Sequence, residues 1–360
     1  MNDNKCFIVN NGVFLGPKGN ITPCCLSDYS FGNITDTNIE DAFYNNKAIN
    51  FRENFQNGVY DKDCKRCIEQ KVNHRYFKND QYSYIKSNSN NMVHVELNLS
   101  NTCNAQCNFC SPKYSHLWAK TLKMKEWNFG LTEAQCISLA KSLKYAENIV
   151  LKGGEPFYYG YIDTFLEEIY KNNPDVRISC LSNGIAWKES TIKILSKFKY
   201  KHISISAEGT GDLYRYMRGG KYNFDNVLDS LELGKKHKIF SNYVQIASNI
   251  NFWNIDVYTE QHIEMARLIK NRIKLDTRFS IDYVRTPDSS SVFLKTRKYR
   301  KKIYKQLSKN KIINHTGITS DFLDSRKIKL DITDNIKYFN NLKNLDILKI
   351  NPLVLENNVT

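Results

Sequence analysis

The sequence predicts an α/β fold: a partial (β/α)6 TIM-like barrel preceded by a small N-terminal cysteine-rich domain. From Val93 onward, short runs with strand character alternate with amphipathic helical patterns, as parallel strands joined by right-handed crossovers do. Six such units can be placed, which suits an open barrel better than a closed eightfold one. Residues 1–75 instead carry five of the ten cysteines and few core-forming residues, the composition of a lobe that needs a metal as a staple.

At 360 residues the chain is long enough for one large α/β domain and a smaller one. No run of 18 or more apolar residues exists, so no membrane-spanning segment is expected. Met1 to Lys5 is polar and lacks a secretory apolar region. The expectation is therefore cytoplasmic, where clustered cysteines mean metal or redox chemistry rather than disulfides. The net charge of +15 favours nucleic acid, anionic peptides or phosphorylated ligands. Abundant Asn, Lys, Ile and Tyr equally reflect a biased base composition. The one dense basic run, Lys295 to Lys305, reads as a solvated helix face.

In the first 75 residues, Gly16, Pro17 and Gly19 mark a tight turn between short strands. Asn38 to Asn57 reads as one helix with Ile39, Ala42, Phe43, Phe51 and Phe55 on its apolar stripe. Cys6, Cys24, Cys64 and Cys67 make a four-thiolate set suited to zinc or to an iron–sulfur cluster. Cys25 is either a spare thiol or a substitute ligand. Residues 76–92, rich in Ser and Asn, read as a linker, 93–290 as the barrel and 291–360 as a C-terminal helical extension.

Strands are expected at Val93–Leu99, Asn148–Lys152, Arg177–Leu181, His202–Ile205, Tyr243–Ala247 and Phe279–Val284. The clearest helix start is Thr132, with Gln135 completing a capping box and Cys136, Leu139, Ala140 and Leu143 on the buried face. Strand alternation puts Glu96, Asn98 and Ser100 on one face, Cys180 and Ser182 on another, and Ser204 and Ser206 on a third. Small polar groups of this kind suit a barrel that holds a ligand, and all are assigned to its inner face. Cys180 there is either a hydrogen-atom relay or a small buried filler.

Four motifs fall at the ends of the first four strands, the rim where parallel barrels build active sites. Cys103, Cys107 and Cys110, spaced C-x3-C-x2-C with Phe109 before the third, follow the first. Gly153-Gly154-Glu155-Pro156 ends the second, Ser182-Asn183-Gly184 the third and Ser206-Ala207-Glu208-Gly209 the fourth. Three thiolates leave one position of a cubane cluster open, unless a distant residue completes a zinc site or the three are unrelated buried thiols.

The cysteine triplet followed by Gly-Gly-Glu-Pro resembles the radical S-adenosylmethionine (SAM) superfamily. The stretch Ile203 to Arg218 (I-S-I-S-A-E-G-T-G-D-L-Y-R-Y-M-R) resembles the fourth-strand signature of its SPASM/twitch subgroup. The first lobe (C-x12-G-x4-C-C, then G-N-I, then C-x2-C) resembles that subgroup's auxiliary-cluster domain, and Leu345-Asp346 to Pro352 the tail of twitch-type proteins. Departures are Phe7-Ile8-Val9 where Pro-Trp is usual, Glu208 where aspartate is usual, and too few cysteines for a second auxiliary cluster.

The resemblance implies that Cys103, Cys107 and Cys110 hold a SAM-binding 4Fe–4S cluster. It also implies one auxiliary 4Fe–4S cluster on Cys6, Cys24, Cys64 and Cys67. SAM contacts would come from Gly153, Gly154, Glu155, Ser182, Asn183, Ser206, Glu208 and Arg218. The enzyme would cleave SAM reductively to a 5′-deoxyadenosyl radical and take electrons from a donor such as flavodoxin or ferredoxin. Its substrate would be a peptide, a protein or a small molecule. The same chemistry on a nucleic acid, nucleotide or sugar is the alternative, and a non-catalytic zinc module binding nucleic acid the third reading.

Overall fold

The computed structural model describes residues 6–70, 85, 91–284, 290–309 and 332–355; most of the linker expected at 76–92 lies outside them. The strands among these residues are β1 (Gly12–Leu15), β2 (Asn20–Thr22), β3 (Gly32–Asn33), β4 (His94–Asn98), β5 (Asn148–Lys152), β6 (Arg177–Ser182), β7 (Lys201–Ser206), β8 (Tyr243–Ile250) and β9 (Asp276–Tyr283). The chain gathers into two compact units. One holds residues Met1–Cys103, Lys123–Cys180 and Glu189–His202; the other holds Asn104–Leu122, Leu181–Lys188 and Ile203–Thr360.

In the first unit the strands lie in the order β3-β2-β1-β4-β5-β6. β1 runs antiparallel to β2 but parallel to β4, with Gly12 opposite His94 and Leu15 opposite Leu97. The cysteine-rich lobe thus donates a strand to the sheet that carries β4. Every residue of β1 and of β4 is buried, as strands covered on both faces require. The single helix expected over Asn38–Asn57 is two, Ile39–Tyr44 and Asn46–Gln56. Asn45 breaks it: its extended backbone ends one helix while its side chain caps the next by accepting from the Ala48 N–H. The Thr132–Gln135 capping box forms as expected at the head of Glu133–Ser142, which buries Cys136, Leu139 and Ala140.

Register corrects one inference about faces. Leu97, Leu151 and Cys180 stand side by side across β4, β5 and β6, and so do Glu96, Val150 and Ser179. Residues in register share a face, so Cys180 belongs with Leu97 and Leu151, opposite Glu96. It does not face the polar side of the sheet.

In the second unit β7, β8 and β9 are parallel. Ser204 aligns with Gln245 and Arg278, and Ser206 with Ala247 and Ser280, on a half-open polar face. Ile205, Ile246 and Phe279 bury the other side. The unit's core contains Trp118, Tyr216, Met217 and Trp253 together with Ile336, Phe339, Ile347 and Val354, and Phe109 and Cys110 pack against it. The C-terminal helices Thr333–Lys343 and Ile347–Ile350 therefore share a core with the cysteine loop. No helix among the described residues is long and apolar enough to cross a membrane.

Candidate cofactor site

In the first unit, the segment after β4 and the bend after β5 are stitched together by backbone. Gly154 N–H donates to Ser100 O at 3.0 Å and Glu155 N–H to Thr102 O at 2.8 Å, just ahead of Cys103. Both glycines are required by this approach. Gly153 has φ +115°, and a Cβ on Gly154 would lie 2.1 Å from Thr102 O and 2.7 Å from Asn101 C. Those are backbone atoms and cannot swing aside, so Gly154→Ala is expected to destabilise the protein by about 3 kcal/mol. A lowered unfolding midpoint in denaturant checks this, with Gly160→Ala, where an added Cβ meets nothing within 4 Å, as the control.

Glu155 is 2% exposed, and its Oε1 accepts from the Phe157 N–H at 3.2 Å, capping a short 3-10 turn. Beside Gly153, Asn98 is 2% exposed with neither side-chain polar atom hydrogen-bonded. Such a group needs a partner, and a bound ligand would supply one. Further along that face, Ser179, Asn148, His94, Glu96 and Lys152 form a continuous polar chain. Burial alone would raise the Glu96 carboxyl. Lys152 at 2.7 Å and His94 at 3.5 Å overcome it and hold the group well below the usual carboxylate range.

In the second unit, the loop carrying Cys107 and Cys110 closes the end of the helix Gly211–Arg218. Gln106 N–H donates to Arg218 O at 3.1 Å and Asn108 N–H to Met217 O at 3.0 Å, satisfying carbonyls that a helix end leaves open. Trp118 Nε1–H donates to Cys107 O at 2.9 Å. Arg218 Nη1–H reaches Cys107 Sγ at 3.5 Å, while Nε–H and Nη2–H grip Glu208 at 2.7 Å each. Burial pushes the Glu208 carboxyl up, and Arg218 opposes that. Burial and then the neighbouring Cys107 raise the Cys110 thiol to about 12, so that thiol needs nearby positive charge to ionise.

The remaining residues singled out in the sequence already have protein partners, with one exception. Ser182 Oγ accepts from Gly184 N–H and Trp187 Nε1–H. Asn183 accepts from Ile185 N–H and donates to Asn104 Oδ1. Ser206 is the exception, half-buried on the polar face of β7.

In the N-terminal lobe, Cys6, Cys24, Cys64 and Cys67 line one cavity with Ile8, Val9 and Phe55; Cys25 is not among its lining residues. Among the described residues no three His, Cys, Asp or Glu side chains close on a point as a single-ion site. Here the thiols surround a space. Burial raises Cys6 to about 11 and Cys64 to about 12, and pushes Cys24 well up. Four thiols around one cavity, Cys6 and Cys64 buried and Cys24 and Cys67 half-buried, are a donor set that a metal cluster fits, since it supplies the charge that ionises them.

Two elements of these surroundings escaped the sequence reading: the contact of Arg218 with Cys107, and Lys343 at the cysteine loop. The pair Gly219-Gly220 was the available signal, because a Cβ on Gly219 would lie 2.9 Å from Gln106 N and one on Gly220 2.8 Å from Lys343 O.

Two family models match the chain: the radical SAM superfamily over residues 97–269, and the SPASM iron–sulfur cluster-binding domain over residues 6–68. The sporulation killing factor maturation protein SkfB of Bacillus subtilis (strain 168) is 25% identical over 165 residues, covering 46% of this chain and 37% of that protein. GTP 3′,8-cyclase of Aquifex aeolicus (strain VF5) is 24% identical over 191 residues, covering 49% and 52%. The chain thus spans about half or less of the length of these two relatives. Among solved structures, anSMEcpe with bound AdoMet and Kp18Cys peptide superposes with a TM-score of 0.45 at 20% identity, over 59% of this chain and 57% of that one. The cofactors that accompany the two matched domains are a 4Fe–4S cluster, SAM and an auxiliary iron–sulfur cluster. With its cysteine triplet, its Gly-Gly-Glu bend and an N-terminal SPASM domain, the chain belongs to the radical SAM superfamily.

Proposed function

We propose that this protein is a radical SAM enzyme with one auxiliary 4Fe–4S cluster, acting on a peptide or protein substrate. The observation that carries the reading is the backbone stitching of Gly154 and Glu155 to the segment leading into Cys103. It makes the second strand's bend and the first cysteine one structural element. Cys103, Cys107 and Cys110 would hold the SAM-binding cluster, and Cys6, Cys24, Cys64 and Cys67 the auxiliary one. A cluster held there would supply the one electron for reductive cleavage of the sulfonium of SAM to methionine and a 5′-deoxyadenosyl radical.

The chain's own residues bind and orient. Gly153 and Gly154 leave room for close backbone approach. Glu155 offers a buried carboxylate to the SAM amino group, and Asn98 an unpaired amide. Ser206 is open to a ribose hydroxyl, whereas Ser182 and Asn183 hold the loop in shape. Glu208 and Arg218 act through each other and through Cys107 rather than as free SAM contacts. Electrons would come from a donor such as flavodoxin or ferredoxin. The peptide substrate is supported by the SPASM match and by the relative named for maturing a killing factor. The relative named for cyclising GTP supports a nucleotide as the second reading.

Reconstituted protein reduced with dithionite is expected to release 5′-deoxyadenosine slowly without substrate. Glu155→Ala should weaken SAM binding about ten- to a hundredfold, the worth of one charged hydrogen bond. It should also lose roughly 1 kcal/mol of stability with the cap on Phe157. Glu155→Gln keeps an acceptor for that cap and should lose affinity alone. Isothermal titration with SAM and thermal melts separate the two effects. Release of no 5′-deoxyadenosine from fully loaded wild type would reject the enzymatic reading. Coupled turnover on candidate peptides against GTP decides between the substrate classes.

A further inference from the structure

Lys343 is the last residue of the helix Thr333–Lys343 and is 3% exposed. Its position at a helix C-terminus is favourable for a cation, but that alone does not require burial. The ammonium donates to Gln106 O, the carbonyl immediately before Cys107, and lies 5.7 Å from the centre of the Trp118 ring, whose Nε1–H holds Cys107 O. No carboxylate among the described residues pairs with it. Burial pulls the group down to about 8, and the sulfurs of Cys107 and Cys110 pull the other way. The neighbouring cation, Arg218, is neutralised by Glu208. Lys343 is therefore a buried positive charge with no carboxylate partner among the described residues, and burying such a charge is costly unless it is paired. Its backbone also lies against Gly220, at φ +80°, where an added Cβ would come 2.8 Å from Lys343 O.

We infer that Lys343 is a positioning residue for the cluster proposed on Cys103, Cys107 and Cys110, the counter-charge that makes its reduction easier. The inference rests on that reading of the cysteine triplet. Reduction adds one negative charge to a cluster already surrounded by thiolates, and a fixed cation beside two of them stabilises the reduced form over the oxidised one. Net charge and hydrogen bonding near the sulfurs are the established levers on such potentials. The C-terminal segment would thereby serve the redox centre directly.

The test is a potentiometric titration of anaerobically reconstituted full-length protein. It follows only the component of the reduced electron paramagnetic resonance signal that changes when SAM is added, which separates it from the auxiliary cluster. Lys343→Met removes charge and hydrogen bond, Lys343→Gln removes the charge but keeps a donor, and Lys343→Arg keeps the charge. Met and Gln are expected to lower the midpoint potential by at least a tenfold loss in the reduction equilibrium, about 59 mV for one electron. Arg is expected to stay near wild type. Met and Gln variants that load iron fully and keep the wild-type potential overturn the inference. So does a Gln variant that matches wild type while Met falls, because the hydrogen bond to Gln106 would then be the whole effect. Should Lys343→Met not fold, Gln against Arg carries the comparison, and equal potentials there overturn the inference. A wild type that loads iron but shows no SAM-sensitive component rejects the cluster reading itself, and the inference falls with it.

Discussion

Replacing Cys103, Cys107 and Cys110 together by Ala is expected to abolish both the SAM-dependent change in the electron paramagnetic resonance signal and the formation of 5′-deoxyadenosine. Three thiolates are the minimum that leaves a single iron open for SAM while holding the other three, so no partial function should survive. Iron should fall by about four per chain and not to zero, because Cys6, Cys24, Cys64 and Cys67 line their own cavity in the N-terminal lobe and follow four-thiolate ligation. The fold should tolerate the change better than the chemistry does. The loop is held chiefly by backbone and by Trp118, through Gln106 N–H to Arg218 O, Asn108 N–H to Met217 O and Trp118 Nε1–H to Cys107 O, none of which uses a thiol. A triple variant that still shows the SAM-dependent change would refute the assignment. One that loses all eight irons would place the lobe cysteines outside any cluster of their own.

How much of this could be read in advance depends on how local each signal is. The capping box at Thr132 and Gln135 is four residues of self-contained chemistry, and it was legible with its boundary. So were the six parallel strands, because period two is written into each run. The phase between strands was not. Alternation says that Cys180 and Ser182 share a face, but only pairing with β5 tells that the face is that of Leu151 and Leu97. The break at Asn45 was hidden because Asn is tolerated in helices; only its side chain's commitment to Ala48 N–H turns it into a cap. The surroundings of the cysteine loop were the least legible. Arg218 is 111 residues from Cys107 and Lys343 is 237 from Gln106, distances at which no spacing rule operates. What sequence could show was that Gly219 and Gly220 follow Arg218, two residues without side chains where two other segments must pass close by.

Glu208→Ala is expected to destabilise the protein by about 3–5 kcal/mol, the usual cost of removing one partner from a buried ion pair. A carboxylate that met only a ribose hydroxyl would cost far less to remove. Glu208 is fully buried and Arg218 6% exposed, and the guanidinium grips the carboxylate through two hydrogen bonds of 2.7 Å. With the carboxylate gone, a guanidinium that cannot lose its proton is left in a core beside Cys107, with Asn249 no substitute for an anion. A loss of this size should lower Tm by on the order of 10 °C. Glutamate in place of the more usual aspartate also has a physical reason here: the longer side chain spans to Arg218 in the bidentate geometry that planar guanidinium groups favour. Glu208→Gln retains one of the two acceptor oxygens without the charge and should fall between wild type and Ala. The double variant Glu208→Leu with Arg218→Met removes both charges and should recover part of the lost stability. It should not recover the SAM-dependent signal in full, because the donor to Cys107 Sγ is gone. A Glu208→Ala protein that melts within about 1 °C of wild type would mean that the pair is solvated or mobile in solution, and that the carboxylate is free to serve a ligand after all.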